Sequence, residues 1–76
     1  MSKGKPQPQV AYWVVGVPGG WGVAACRRGE DGYHPVPDYG PYEEEAKAKG
    51  VVDRLNARAG LTTRQIRSIV GSTMRS

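Results

Sequence analysis

Two runs of β-prone residues joined by the tripeptide Pro18-Gly19-Gly20 constrain the fold of this chain more than any other feature. The runs cover residues 10–17 and 21–28 and are rich in β-branched, aromatic and small apolar side chains. Proline fixes its own φ, and the glycine after it accepts the positive φ that a tight turn requires. The sequence therefore predicts an antiparallel β-hairpin near the start of the chain.

Alternation along the hairpin predicts which side chains share a face. Trp13 and Val15 lie on one face of the first strand, and Tyr12 lies on the other. Because the chain has 2 Trp and no Phe, Trp13 is predicted to supply the aromatic part of the core. Gly22 and Ala24 leave one face of the second strand nearly smooth, and a helix is predicted to pack closely there.

A short third strand and a first helix are predicted next. Residues 33–36 would form an edge strand, because Pro35 has no amide hydrogen to donate. Residues 43–59 are predicted to form a helix that begins with three glutamates, where the macrodipole favours negative charge, and ends at Gly60. Gly50 lies inside this helix and predicts a close approach to the smooth sheet face or to a second subunit.

A second helix is predicted over residues 62–70. Thr62 and Gln65 match a capping box, in which each side chain bonds the backbone amide of the other residue. Ile66 and Ile69 provide the apolar side of this helix, and Gly71 is predicted to end it.

The resulting fold class is α+β: an antiparallel β-hairpin of two or three strands packed against two C-terminal helices, in the order β-β-(β)-α-α. Residues 10–71 are predicted to form one domain, preceded by a disordered leader over 1–9 and followed by a short tail over 72–76. The predicted core takes residues from every main element: Trp13, Val15, Val23, Val52, Leu55, Ile66 and Ile69.

Several short motifs follow one another along the chain: Tyr-Trp-Val-Val, Gly-Trp-Gly-Val, Gly-Pro-Tyr, Leu-Asn and Gly-Leu-Thr. In this order they resemble small uncharacterised bacterial proteins that are often phage- or plasmid-borne. The resemblance covers residues 11–74. It implies a β-hairpin followed by helices, with no activity and no functional residues attached.

Patterns typical of catalysis or metal binding are weak. Cys26 and His34 are the only candidate nucleophile and base, and nothing in their spacing brings them within hydrogen-bond distance. Cys26 is better interpreted as a small buried thiol. Glutamates 43–45 point about 100° apart on a helix and do not converge on one atom. A lone cysteine and a lone histidine also give no metal-ligand cluster. The chain is predicted not to be an enzyme and to use no cofactor or metal.

Positive charge is concentrated in the second half of the chain. The net charge is +4, and every charged residue after Asp53 is an arginine. Such a run can contact phosphates or can form a solvated helical surface. Residues 60–72 resemble the first helix and glycine turn of a helix-turn-helix, but the helix that would read the major groove is missing.

These observations predict a small non-catalytic interaction module that binds another protein or a second copy of itself. The alternative is a basic accessory protein that contacts nucleic-acid phosphates through its arginine-rich C-terminal half. The residues predicted to contact a partner or nucleic acid are two hairpin aromatics and six arginines: Tyr12, Trp21, Arg27, Arg28, Arg54, Arg58, Arg64 and Arg67.

The N-terminal residues also bear on localisation. Two lysines precede an apolar stretch that ends in Ala24-Ala25-Cys26, which resembles a bacterial lipoprotein cleavage box. Glycines and a proline interrupt this stretch, whereas the apolar region of a signal peptide is a continuous run of about 7–15 residues. No run of the sequence is long enough to cross a membrane. A cytoplasmic protein without membrane contact is therefore predicted.

Overall fold

A computed structural model of the chain describes residues 10–73. Its elements are β1 Val10–Val17, β2 Gly20–Arg27, β3 His34–Pro35, α1 Glu45–Arg58 and α2 Thr63–Thr73. The strands form one antiparallel sheet in the order β1-β2-β3. The predicted α+β order is therefore confirmed, and the third strand is present. The predicted leader over 1–9 and the tail beyond Thr73 lie outside the described residues.

The hairpin turn depends on a glycine that tolerates no side chain. Val17 pairs with Gly20 across the turn, and Gly20 has a φ of +145°, which residues with side chains rarely adopt. A Cβ added to Gly20 would collide with the carbonyl oxygen of Tyr42. Tyr42 comes this close because it exchanges two backbone hydrogen bonds with Trp21, each 2.8 Å long.

The strand β2 has backbone partners on both sides. One neighbour is β1, and the other is the segment that begins with β3. Beyond β3, the Val36 amide donates to the Val23 carbonyl at 2.9 Å, and Tyr42 pairs with Trp21 further along. Gly22, Val23 and Ala24 are buried in succession. Since successive side chains point to opposite faces, both faces of the sheet are covered at this point.

The smooth face at Gly22 is approached by a loop rather than by a helix. Gly40 lies there with a φ of +102°, and a Cβ added to it would sit 3.4 Å from the Gly22 Cα. The peptide bond between Gly40 and Pro41 is cis. A helix does pack on the face that Gly22 shares with Cys26, as predicted, but it does so at the Cys26 end, where α2 lies, and not at Gly22 itself.

The helix α1 ends as predicted at Gly60, in a Schellman motif. Gly60 has a φ of +78°, and its amide donates to the Ala57 carbonyl at 3.0 Å. The Leu61 amide donates to the Asn56 carbonyl at 3.1 Å. These bonds satisfy carbonyls that the helix itself leaves without donors.

Gly50 does not lie against the sheet, which was one of the two neighbours predicted for it, the other being a second subunit. It is exposed, and a Cβ added there would meet nothing within 4 Å. The sheet therefore does not approach α1 closely at Gly50, because the helix buries Ala48 and Val52 and turns Gly50 outward.

The helix α2 begins with the predicted capping box. The Gln65 amide donates to Thr62 Oγ1 at 3.1 Å, and the Thr62 amide donates to Gln65 Oε1 at 2.8 Å. Gly71 does not end the helix, however, which continues to Thr73. Thr73 Oγ1 donates to the carbonyl of Arg27, the last residue of β2, at 3.2 Å, so a contact with the end of β2 supports the additional turn of helix.

The capping box yields a testable stability difference. Thr62→Ala is expected to lower the free energy of unfolding by about 1 kcal/mol, because the Gln65 amide loses its acceptor. Thr63→Ala is the matched control, since Thr63 is exposed and takes no part in the capping box. Urea denaturation followed by circular dichroism measures both variants. Equal stability of the two variants would contradict the prediction.

Four buried residues form a small core cluster in which α2 covers one face of the hairpin. Ala11 and Cys26 pair across the strands, and Ile69 and Val70 pack on them. Among the predicted core residues, Val23, Val52 and Ile69 are buried, while Val15, Leu55 and Ile66 are half-buried. Trp13 was predicted to be buried and is exposed.

Each helix packs against both β1 and β2. Neither α1 nor α2 is long and apolar enough to cross a membrane, within residues 10–73.

Candidate nucleic-acid interface

The outer edge of β1 is held by the side-chain amide of Asn56, which projects from α1. The Tyr12 amide donates to Asn56 Oδ1 at 2.8 Å, and Asn56 Nδ2 donates to the Tyr12 carbonyl at 3.0 Å. The amide thus replaces a neighbouring strand at this position and fixes α1 beside β1. At the opposite edge, Pro35 of β3 has no amide hydrogen to offer. At Tyr12 and Pro35 themselves, therefore, these groups are not available for pairing with a second copy.

Asn56 was not singled out from the sequence, although a signal for it exists. It lies four residues after Val52, on the buried side of α1. A polar residue at such a position is destabilising unless its hydrogen bonds are satisfied. The backbone of Tyr12 satisfies them. Tyr12 was predicted as a partner contact; its backbone is occupied within the fold, and the residue is half-buried.

A groove of about 370 Å³ lies at β1 between the two helices. Trp13 and Val14 line it from β1, and Thr63, Ile66 and Arg67 line it from α2. The opposite wall is one side of α1 and includes the buried Val52 and the hydrogen-bonded Asn56. The volume of the groove is near the lower end of the range for small-molecule binding sites, which is about 300 to 1,000 Å³.

Four charged side chains also line the groove. Glu45, Lys49 and Asp53 follow one another at four-residue spacing along α1, and Arg67 faces them from α2. Within residues 10–73, none of the four lies within 4.0 Å of an opposite charge. The two carboxylates and two cations leave the groove with no net charge and with polar groups available to a ligand.

The two tryptophans differ in exposure. Trp13 is 42% exposed at the groove, whereas Trp21 is half-buried and its backbone is paired with Tyr42. The predicted partner contact among the tryptophans was Trp21. The structure makes Trp13 the more accessible indole, because it lies at the open groove, whereas Ile69 and Val70 of α2 pack on Ala11.

Three of the predicted arginines come together on the outer side of α2. Arg64 and Arg67 are exposed and are one helical turn apart. Arg28 reaches them from the β2–β3 turn, and its Nη1 donates to Ser68 Oγ at 3.4 Å. Ser68 is one turn from Arg64 on the same side of the helix. Arg28, Arg64 and Arg67 are called here the α2 basic surface.

The remaining predicted arginines lie elsewhere. Arg27 forms an exposed ion pair with the Glu30 carboxylate at 3.5 Å, and the same carboxylate contacts His34 at 3.1 Å. Arg54 and Arg58 share one exposed side of α1 with Lys47, at spacings of seven and four residues. Lys47, Arg54 and Arg58 are called here the α1 basic stripe.

The geometry separates the candidate nucleophile from the candidate base. His34 pairs with Ala25 of β2, so Cys26, the next residue, points to the opposite face of the sheet. Cys26 is completely buried, and burial raises the pKa of its thiol. His34 is exposed and contacts Glu30. Within residues 10–73, no group of three or more histidine, cysteine or acidic side chains could hold a metal ion.

In comparisons with known proteins, no family model, curated protein or solved structure matches the chain. Function therefore has to be inferred from the residues of the groove and of the two basic surfaces.

Proposed function

We propose that this protein is a non-catalytic module that binds nucleic acid by contacting phosphates through the α2 basic surface. The observation that carries the proposal is the hydrogen bond from Arg28 to Ser68. It joins a turn of the sheet to α2 across 40 residues of sequence and adds a third guanidinium to the two that α2 already carries. Clusters of arginine on one face are typical of proteins that bind phosphate backbones.

No arginine of the α2 basic surface lies within 4.0 Å of a carboxylate in residues 10–73. Among residues 10–73, the ion pairs involve only Arg27, Glu30 and His34. The helix α2 has no acidic residue, and the sequence contains none after Asp53. Ser68 and Gly71 lie on the exposed side of α2 and are small, which leaves room for a phosphate backbone to lie close to the helix.

Two charge-matched variants test this proposal. One replaces Arg28, Arg64 and Arg67 by glutamine, and the other replaces Lys47, Arg54 and Arg58 by glutamine. Each variant removes three positive charges from a net charge of +4. Binding of a fluorescently labelled DNA is measured by anisotropy at several salt concentrations, for a single strand and for a duplex.

The α2 variant is expected to bind at least about tenfold more weakly at low salt. The magnitude of the slope of log K against log salt should decrease by about 2 to 3, because three phosphate contacts are removed. The α1 variant is expected to retain most of the affinity. Equal losses in the two variants would mean that only net charge matters, and absence of binding by the parent protein at low salt would refute the proposal.

A further inference from the structure

From the groove beside the α2 basic surface, we infer a site for one unpaired nucleobase, which stacks on Trp13 while the adjoining phosphates lie on Arg67 and Arg64. This inference rests on the proposed function and adds to it the form of the nucleic acid, which is single-stranded. Arg67 links the two regions, because it belongs to the α2 basic surface and also lines the groove.

The charges in the groove favour a base over a phosphate. Glu45 and Asp53 repel a phosphate group and accept hydrogen bonds from the amino and imino groups of a base. Lys49 and Arg67 balance these carboxylates, so the groove has no net positive charge to attract an anion. A neutral, flat and polar-edged ligand fits these surroundings better than an anion does.

Trp13 provides the stacking surface. Its side chain is 42% exposed in a chain that has few large apolar residues to bury. Bases stack on exposed aromatic rings in proteins that bind single strands, and the exposed ring is available to any base because every base has a π face. A base inside a duplex is already stacked on both sides and cannot enter such a groove without leaving the helix.

The test compares a single-stranded oligonucleotide with the duplex of the same length. Trp13→Leu is expected to weaken binding of the single strand by about tenfold or more and to leave duplex binding nearly unchanged. Circular dichroism confirms that the variant folds, which is expected because Trp13 is exposed. The matched control is Trp21→Phe, whose binding should equal that of the parent.

Tryptophan fluorescence gives a second readout. In the Trp21→Phe protein, Trp13 is the only tryptophan, and the single strand is expected to quench its emission. In the Trp13→Phe protein, the remaining indole of Trp21 should respond little.

The two proposals fail in distinguishable ways. If Trp13→Leu leaves single-strand binding unchanged, or weakens single strand and duplex equally, the nucleobase site is overturned while the α2 basic surface stands. If the two charge-matched variants lose affinity equally, the proposal of phosphate contact through α2 is overturned. This holds whether or not Trp13→Leu weakens binding of the single strand.

Discussion

Gly20→Ala is expected to lower the free energy of unfolding by more than about 3 kcal/mol, because two penalties add. A φ of +145° is strained for alanine, at about 1–3 kcal/mol. The new methyl group would also meet the Tyr42 carbonyl oxygen. To avoid it, the chain must give up the two backbone hydrogen bonds between Trp21 and Tyr42, each worth about 1 kcal/mol.

Gly50→Ala is the matched control for this prediction. The same substitution in the middle of α1 meets open space and removes the entropic penalty of a helical glycine. It is expected to stabilise the protein by up to about 1 kcal/mol. Urea denaturation followed by circular dichroism measures both effects. A Gly20→Ala protein within about 1 kcal/mol of the parent would show that the Trp21–Tyr42 pairing does not constrain the turn.

Substitution of Asn56 is expected to have the second large effect. Asn56→Leu removes both hydrogen bonds to the backbone of Tyr12 and leaves a part-buried amide and carbonyl without these partners. Each fully buried group left unsatisfied would cost about 1–3 kcal/mol. Because the Tyr12 backbone is only part-buried, a total loss of about 2–4 kcal/mol is expected. The loss should not depend on pH, because leucine does not ionise.

Asn56→Asp has nearly the same shape and should behave differently with pH. At neutral pH the introduced carboxylate accepts from the Tyr12 amide but faces the Tyr12 carbonyl without a proton to donate. Burial and this carbonyl raise the folded-state pKa of the introduced carboxyl above its unfolded value of about 3.9. The neutral form, which both donates and accepts as the amide does, is therefore favoured in the folded state.

The direction of the pH dependence follows from this shift. The folded state binds a proton more tightly than the unfolded state, so stability relative to the parent is lowest above the folded-state pKa and recovers as pH falls toward 4. Denaturant titrations at pH 7 and at pH 4 compare the variant with the parent and with Asn56→Leu. If Asn56→Asp is less stable than the parent by the same amount at both pH values, the predicted hydrogen-bonding role of Asn56 would be contradicted.

The predicted contact residues illustrate what sequence alone could not provide about the candidate site. All six arginines were named, but their partition into an α2 basic surface, an α1 basic stripe and an ion-paired Arg27 required the structure. Spacing along one helix could have indicated that Arg64 and Arg67 are neighbours. The addition of Arg28 could not be inferred this way, because the turn that carries it is 40 residues from Ser68 in sequence.

The sequence by itself determined the hairpin, its turn, the capping box at Thr62 and the end of α1 at Gly60. Each of these depends on backbone preferences and hydrogen bonds among residues only a few positions apart. Only the tertiary structure decided that Gly71 lies inside α2, that Asn56 holds the edge of β1, and that Trp13 is exposed at a groove. Those outcomes depend on which elements meet, and burial is a property of the whole packed chain rather than of any local pattern.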